Sequence, residues 1–472
     1  MVKVRRTQAG VVDGSVVDAA LTAGLNAIRI EAGVPGEFPP EVVAAAEEAA
    51  GRTPGATHVD RTSVGYVTLD PASATDLDQA FAIEAGGGDI VLHYAIADVG
   101  FFVDPGGVLD LAGWERGGTV YLPDGKVPLY PRPLSEGAAS LLPDGPRPAV
   151  VFTVRIDEGG ESRLDGVERA VIRSRAKLAY EDVDEGMLPA GFGELSRRIV
   201  AAEERRGAPR VEFPEQVLER TEGGGWELRF DARLESEDHN AGMSLATNLA
   251  VADALYASKT GLFRVMPDVS ERAVRRLRLT AHAFQLEWPD DMSLAQFQRS
   301  LPPGEQRSAA FLLAVRRASG GATYRPYTEG EKPWHAAMAA TYAHATAPLR
   351  RLGDRYVVEA ALAVANGNRL PDHVEAAFGA LPEVMARADE IGNRVDNAVS
   401  NLAEAVLLSG REGELFDGVI VDEDRHGPVM QIADPAILAR VHAARVTPGD
   451  EIRVRLISAD VEARTVQFRR VN

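Results

Sequence analysis

The run Thr68-Leu69-Asp70-Pro71-Ala72-Ser73-Ala74-Thr75-Asp76-Leu77-Asp78-Gln79-Ala80 gathers three carboxylates between two β-like stretches. Hard divalent cations such as magnesium take oxygen ligands and usually keep several waters. Such a cluster can hold one or two metals where a phosphate binds. Two metals about 4 Å apart clamp the attacking and leaving oxygens of a phosphoryl displacement. Close aspartates are also turn formers and helix caps, so the run alone leaves both roles open.

Outward from this run, residues 80–84 and 89–96 read as strands joined by Gly86-Gly87-Gly88, a hairpin signal. Residues 149–157 give a third strand. From Leu195 onward helices dominate, over 246–260, 305–318, 334–345 and 355–366. Strands followed by many helices predict an α+β domain. Past residue 410 the pattern changes to five short strands, over 413–421, 427–432, 439–442, 451–457 and 465–468, with a turn at Pro448-Gly449-Asp450. Five strands in so short a span fit a small OB barrel. At the other end, Val16, Val17, Ala20, Leu21, Leu25 and Ile28 follow helical spacing. Gly33-Val34-Pro35-Gly36 breaks that helix, and Pro40 opens a second one reaching Ala50. The two helices fit either a helix-turn-helix module or a capping subdomain.

The chain has 472 residues, enough for several domains and a large core. Apolar content of 45% and charged content of 26% are ordinary for a globular protein. No apolar run is long enough to cross a bilayer, so no membrane partner is expected. The start, Met1-Val2-Lys3-Val4-Arg5-Arg6, has no apolar stretch behind its basic residues, which argues against a secretory signal. There is no cysteine, which excludes disulfides and cysteine-ligated zinc or iron–sulfur sites. A cytoplasmic protein, monomeric, is the expectation. The net charge of −19 opposes polyanion binding overall, but net charge does not report local potential. Arg264, Arg272, Arg275, Arg276 and Arg278 form one basic cluster, and Arg316, Arg317 and Arg325 another. Each reads equally as a solvated helix face.

Several ordered runs resemble the signature of the RNase II and RNase R family of exoribonucleases. They are the aspartate run, Ala95-Ile96-Ala97-Asp98-Val99, Tyr121-Leu122-Pro123-Asp124 with Pro128-Leu129-Tyr130-Pro131, and Val171-Ile172-Arg173-Ser174 leading to Lys177-Leu178-Ala179-Tyr180-Glu181-Asp182-Val183. Arg205-Arg206-Gly207 with Phe213 follows. The most specific is Tyr342-Ala343-His344-Ala345-Thr346-Ala347-Pro348-Leu349-Arg350-Arg351, then Asp354. The resemblance runs from about residue 58 to residue 405. It implies a helical N-terminal domain over 1–57, an RNB catalytic domain over 58–408 and an OB-fold RNA-binding domain over 409–472. It implies 3′→5′ hydrolysis of single-stranded RNA to nucleoside 5′-monophosphates with Mg2+, or Mn2+ in its place. By the same resemblance, Asp70, Asp76, Asp78 and Gln79 hold metal, and Asp78 and Arg350 are catalytic. Arg350 pairs with a phosphate, to which a guanidinium can bind bidentately, and Thr346, Ala347 and Pro348 shape its loop. Tyr180 and Phe213 match residues that pinch the terminal bases, and Tyr121 matches the tyrosine that sets where degradation stops. Without the resemblance these aromatics read as core residues. His344 reads as a packed histidine, and Asn248 and His335 as supporting residues.

The chain departs from the family pattern in three places. The family usually carries two cold-shock-type OB barrels where this chain has its first helices. Gln79 stands where the family has a second adjacent aspartate, and Ala241-Gly242 stand where it has a Glu-Glu pair. Glutamine offers a metal one neutral oxygen and no charge. The alternative is therefore a catalytically weakened RNB-type RNA-binding protein. A third reading, a DNA-binding regulator, rests on the first two helices alone.

Overall fold

A computed structural model describes residues 3–5, 14–85, 88–184, 186–209, 215–220, 226–231, 234–302, 305–424, 427–432 and 435–471. Its centre is a seven-stranded sheet. In spatial order the strands are Ser174–Ala179, Tyr66–Asp70, Gln79–Ala85, Ile90–Ala97, Arg147–Ile156, Ser162–Ile172 and Val59–Asp60. The inner pairings are antiparallel and the two outermost are parallel. Ile90–Ala97 and Arg147–Ile156 are nearly continuous apolar runs, as strands covered on both faces must be. The helix Glu235–Ala257 is buried without a break from Leu245 to Ala252. A helix apolar all round belongs inside a protein, and this one joins the sheet's core with the helix Leu352–Ala365.

The helix Asp372–Leu408, 37 residues long, spans about 55 Å at 1.5 Å per residue. It starts in the sheet's core, through Val374, Leu381 and Met385, and ends in a second core through Val399, Leu402 and Val406. That second core belongs to a closed barrel of Leu415–Asp424, Gly427–Ile432, Ile437–His442, Glu451–Asp460 and Thr465–Arg470. The third strand pairs with the fifth in parallel and closes it. A further core docks the barrel sideways: Leu277, Phe284, Phe297 and Phe311 of a helical segment meet Val419, Val421 and Val429. Contact there is close. Gly449 has φ 98°, and a Cβ on it would run into the carbonyl of Ala283.

The α+β architecture with its five-stranded barrel is thus as expected, with particular corrections. The first segment contains the helices Gly14–Ala32 and Pro40–Ala50, Pro40 standing in the first turn. They do not serve one module. Leu25 and Ile28 enter the barrel-side core with Leu402 and Phe416, whereas Val42, Ala46 and Ala49 enter the sheet's core. Two helices whose apolar faces are consumed by different cores do not form a free helix-turn-helix, and the DNA-regulator reading loses its basis. Residues 334–345 are not helical. Ala339 has φ 48° and His335 bridges to Ala340; the alanine-rich composition, with Trp334, Met338 and Tyr342 four residues apart, gave a helix-like pattern that the observed turns override. The barrel is packed into the rest of the chain, sharing cores with the first helix, with Val120 and Leu122, with Leu228, with the long helix and with the segment 277–315.

Candidate functional site

Strand ends position the carboxylates. Asp70 is the last residue of Tyr66–Asp70, and Asp78 immediately precedes Gln79–Ala85. The connection between them is fixed from both sides. Lys177 Nζ donates to the carbonyls of Ala72 and Ala74 at 2.8 and 2.6 Å. Ser140 Oγ accepts from Leu77 N at 2.9 Å and donates to the Thr75 carbonyl at 2.8 Å. Asp76 lies on this connection. Its Oδ1 is 2.6 Å from Lys126 Nζ, and its Oδ2 accepts from the Tyr121 hydroxyl at 3.3 Å.

The loop before Leu352 brings Arg350 to the same place. Four side chains hold its backbone in succession. Asn248 Oδ1 accepts from Ala345 N at 2.9 Å, and Gln79 Nε2 donates to the Thr346 carbonyl at 2.8 Å. Asp354 Oδ2 accepts from Ala347 N at 2.8 Å, and Asp78 Oδ1 from Leu349 N at 2.7 Å. Arg350 Nε then lies 3.5 Å from Asp78 Oδ2. A catalytic constellation needs this kind of support, because a side chain on an unsupported loop is imprecise.

Burial dominates the electrostatics. It pushes the Asp70 carboxyl up to about 7, with Arg350 pulling down and Asp76 pushing further up. Burial likewise pushes Asp78 up to about 8, against Arg350 and the Leu349 amide. Neighbouring carboxylates that raise one another are the condition a cation relieves. Burial raises the phenols of Tyr121 and Tyr180 too, and each feels an aspartate of the cluster. Asn240 Nδ2 donates to the Tyr180 hydroxyl at 2.7 Å. His344 is half-buried: burial drives its pKa well below the usual value, and Nδ1 meets the Tyr324 hydroxyl at 2.8 Å. Its contacts are those of a packed histidine. His335 is held down to about 4 by burial. Asn248 supports the loop, as its position in the sequence implied. Phe213 lies outside the described residues.

Gln79 does not fit the ligand role expected of it. Its Oε1 accepts from the Tyr94 hydroxyl at 2.5 Å and from Ser244 Oγ at 3.1 Å, while its amide nitrogen serves Thr346. The side chain is held by the loop, Tyr94 and Ser244. Tyr94, Ser244 and Lys126 are neighbours of these residues that the sequence did not reveal. Asp354 was visible only as part of a motif, with no role attached. A lysine after a Gly turn, as in Asp124-Gly125-Lys126, was the one usable signal.

Among the described residues, no three His, Cys, Asp or Glu side chains stand close enough to hold a metal unaided. The donors still suit a hard cation. Asp70 Oδ2 is buried with no hydrogen-bond partner. Asp78 Oδ2 faces Arg350 at 3.5 Å, longer than an ordinary hydrogen bond. Magnesium is commonly held by one or two carboxylates with waters and substrate phosphates completing its shell.

A mixed sheet bearing an acid cluster against one arginine, welded to a closed OB-type barrel, defines a particular class of α+β protein. The chain belongs to the RNB family: the RNB domain matches residues 59–365, and the RNase II-type exonuclease C-terminal S1 domain matches residues 414–471. It is similar to Ribonuclease R of Aquifex aeolicus, at 26% identity over 454 residues, 85% of this chain and 63% of that one. Exoribonuclease 2 of Cronobacter sakazakii is 25% identical over 414 residues, 82% of this chain and 63% of that one. The chain therefore spans less than two thirds of these relatives. Mycoplasma genitalium RNase R in complex with ribose methylated single-stranded RNA shares the fold, with TM-score 0.84 at 21% identity over 96% of this chain and 78% of that one. So does yeast Ssd1, a pseudonuclease, with TM-score 0.64 at 16% identity over 89% and 52% of the two chains.

Proposed function

We propose that this chain is a 3′→5′ exoribonuclease that hydrolyses single-stranded RNA to nucleoside 5′-monophosphates with a divalent cation, Mg2+ or Mn2+. The observation that carries the proposal is the tie between Asp78 and the Arg350 loop. One buried carboxylate both orders the loop, through Leu349 N, and faces the guanidinium it presents. Family membership adds to it, since relatives are named as a ribonuclease and an exoribonuclease.

The protein's own groups would divide the work as follows. Arg350 pairs with oxygens of the reacting phosphate and neutralises charge as it develops. Asp70 and Asp78 supply the oxygens for the cation. When bound, that cation supplies a water of lowered pKa and screens the phosphate. Tyr121 and Tyr180, both beside the cluster, stack the terminal bases without reading them, because every base has a π-face. The barrel adds a second RNA contact. The protein acts as a monomer in the cytoplasm, and among the described residues no helix is long and apolar enough to cross a membrane.

A 5′-labelled single-stranded RNA incubated with Mg2+ should shorten progressively while unlabelled mononucleotides accumulate, and excess chelator should stop it. Internal fragments, or full activity in chelator, would refute the proposal. The alternative of a weakened RNA-binding protein draws on Gln79, whose amide oxygen is already bonded to Tyr94 and Ser244. It requires tight RNA binding with no shortening in the same assay.

A further inference from the structure

We infer, on the footing of that metal-dependent cleavage, that Lys126 is a built-in cation of the site: its ammonium occupies the Asp76 side of the cluster, so the protein works with one divalent ion held by Asp70 and Asp78. The strands Val120–Leu122 and Gly125–Val127 form a hairpin in which Tyr121 and Lys126 are direct cross-strand partners. Side chains opposed in this way share a face. This face closes on one carboxylate. Lys126 Nζ takes Asp76 Oδ1 at 2.6 Å and Tyr121 takes Asp76 Oδ2 at 3.3 Å. Lys126 is further held by Thr75 Oγ1 at 3.3 Å and Glu136 Oε1 at 3.4 Å. The pair is mostly shielded, with side chains 16% and 12% exposed, and shielded pairs escape most screening by salt.

Two of the candidate ligands are therefore engaged by the protein itself. Asp76 has both oxygens occupied, and Gln79 has its amide oxygen under two hydroxyls. Asp70 Oδ2, buried and unpartnered, and Asp78 Oδ2 remain. Two carboxylates with waters make a normal set for one magnesium ion. A two-ion clamp needs ligands on both sides of the phosphate, and a second dication here would have to expel an ammonium from a shielded ion pair. Lys126 is thus a positioning residue that acts through Asp76. It sets the ion count and leaves a fixed positive charge in the second position.

The test is Mn2+ binding to the full chain without RNA, followed by the electron paramagnetic resonance of free Mn2+, beside Mg2+-dependent RNA cleavage. The wild type should bind one Mn2+. Lys126→Met should admit a second ion, or raise its affinity at least tenfold, and should turn a hyperbolic Mg2+ dependence of the rate into a sigmoidal one. Lys126→Arg should keep one ion. Asp76→Asn should also keep one ion, with affinity within about threefold, and covers the case in which Lys126→Met does not fold. Two ions on the wild type, none, or loss of binding in Asp76→Asn would overturn the inference. One ion without any RNA cleavage would instead overturn the nuclease proposal and leave the ion count standing. Metal-dependent cleavage with two ions would overturn the ion count alone.

Discussion

The acid cluster facing Arg350 and the barrel junction both bury carboxylates, and they treat them differently. At the junction, Glu404 of the helix Asp372–Leu408 is 4% exposed. Its Oε1 accepts from Leu438 N at 2.9 Å and Gln216 Nε2 at 3.0 Å, both neutral donors. In the acid cluster, Asp76 meets Lys126 and Asp78 meets Arg350, while Asp70 keeps an oxygen with no partner. Burial raises the carboxyl in both regions. A raised carboxyl therefore does not distinguish a site from a joint. What distinguishes them is the company: cationic side chains and an unpartnered oxygen at the acid cluster, neutral donors at the joint. Perturbed groups cluster at functional sites only as a tendency, and here the partner set decides.

The largest effect should come from Asp78→Asn. The amide oxygen can still accept from Leu349 N, so the loop stays ordered, but the charge facing Arg350 and the cation is lost. Turnover should fall at least ~10²-fold, about 2.7 kcal/mol of barrier, with RNA affinity nearly unchanged. Paired binding and single-turnover measurements check it. A fall of less than about tenfold would remove Asp78 from the centre of the chemistry and blur the line between acid cluster and joint.

Gln79→Asp comes next. The position carries an amide because the Thr346 carbonyl needs a donor, at 2.8 Å from Nε2. A carboxylate there would face a carbonyl oxygen and could not donate. Leaving a buried polar group unsatisfied costs about 1–3 kcal/mol, and the loss falls on the loop that carries Arg350. The expected outcome is a roughly tenfold or larger drop in kcat with no lowering of the Mg2+ requirement. A lower Mg2+ requirement would show that the fourth carboxylate reaches the cation, and that Gln79 marks a tuned metal site.

At the joint, Gly449→Ala should cost about 1–3 kcal/mol, the scale of backbone strain at positive φ, with the clash against Ala283 added. Thermal unfolding would show it directly. Cleavage of very short RNA should survive if the barrel only loosens. Removing everything after Ser409 would do more damage, because Leu402 and Val406 would lose their core. Such a truncation is a folding experiment, not a binding one.

The sequence carried some of this architecture clearly and some not at all. The barrel strands were visible because alternation and turn residues are local signals, and the acid run was visible because its members are neighbours. Asp76–Lys126 was not, since a hairpin must fold before residue 126 reaches residue 76. The Gln79 network joins Tyr94, Ser244 and Thr346 from three distant segments. Glutamine at an aspartate position looked like a loss of function until the Thr346 carbonyl appeared beside it. Residues 334–345 misled for a different reason: alanine has high helix propensity, and buried contacts overrode it.

The smallest effect, and the sharpest on the comparison, belongs to Glu404→Gln. Burial pushes the Glu404 carboxyl from 4.5 up to about 7, against its two hydrogen bonds. Below pH 4.5 both folded and unfolded forms hold the proton, and the group's contribution to stability is complete. Between about 4.5 and 7 only the folded form holds it, so stability falls as pH rises. Above 7 both are ionised and the deficit is constant. Glutamine keeps an oxygen for Leu438 N and Gln216 and removes the charge. The variant should match the wild type below pH 4.5 and be more stable at pH 8, by ~1–2 kcal/mol, the ~3 kcal/mol that a rise from 4.5 to about 7 represents being partly offset by the amide hydrogens it buries. The difference between the two melting curves isolates Glu404 from Asp70 and Asp78, whose raised carboxyls are common to both proteins. A variant less stable than the wild type at pH 8 would mean that the charge itself holds the joint together. Glu404 would then belong with the charge-paired carboxylates of the acid cluster.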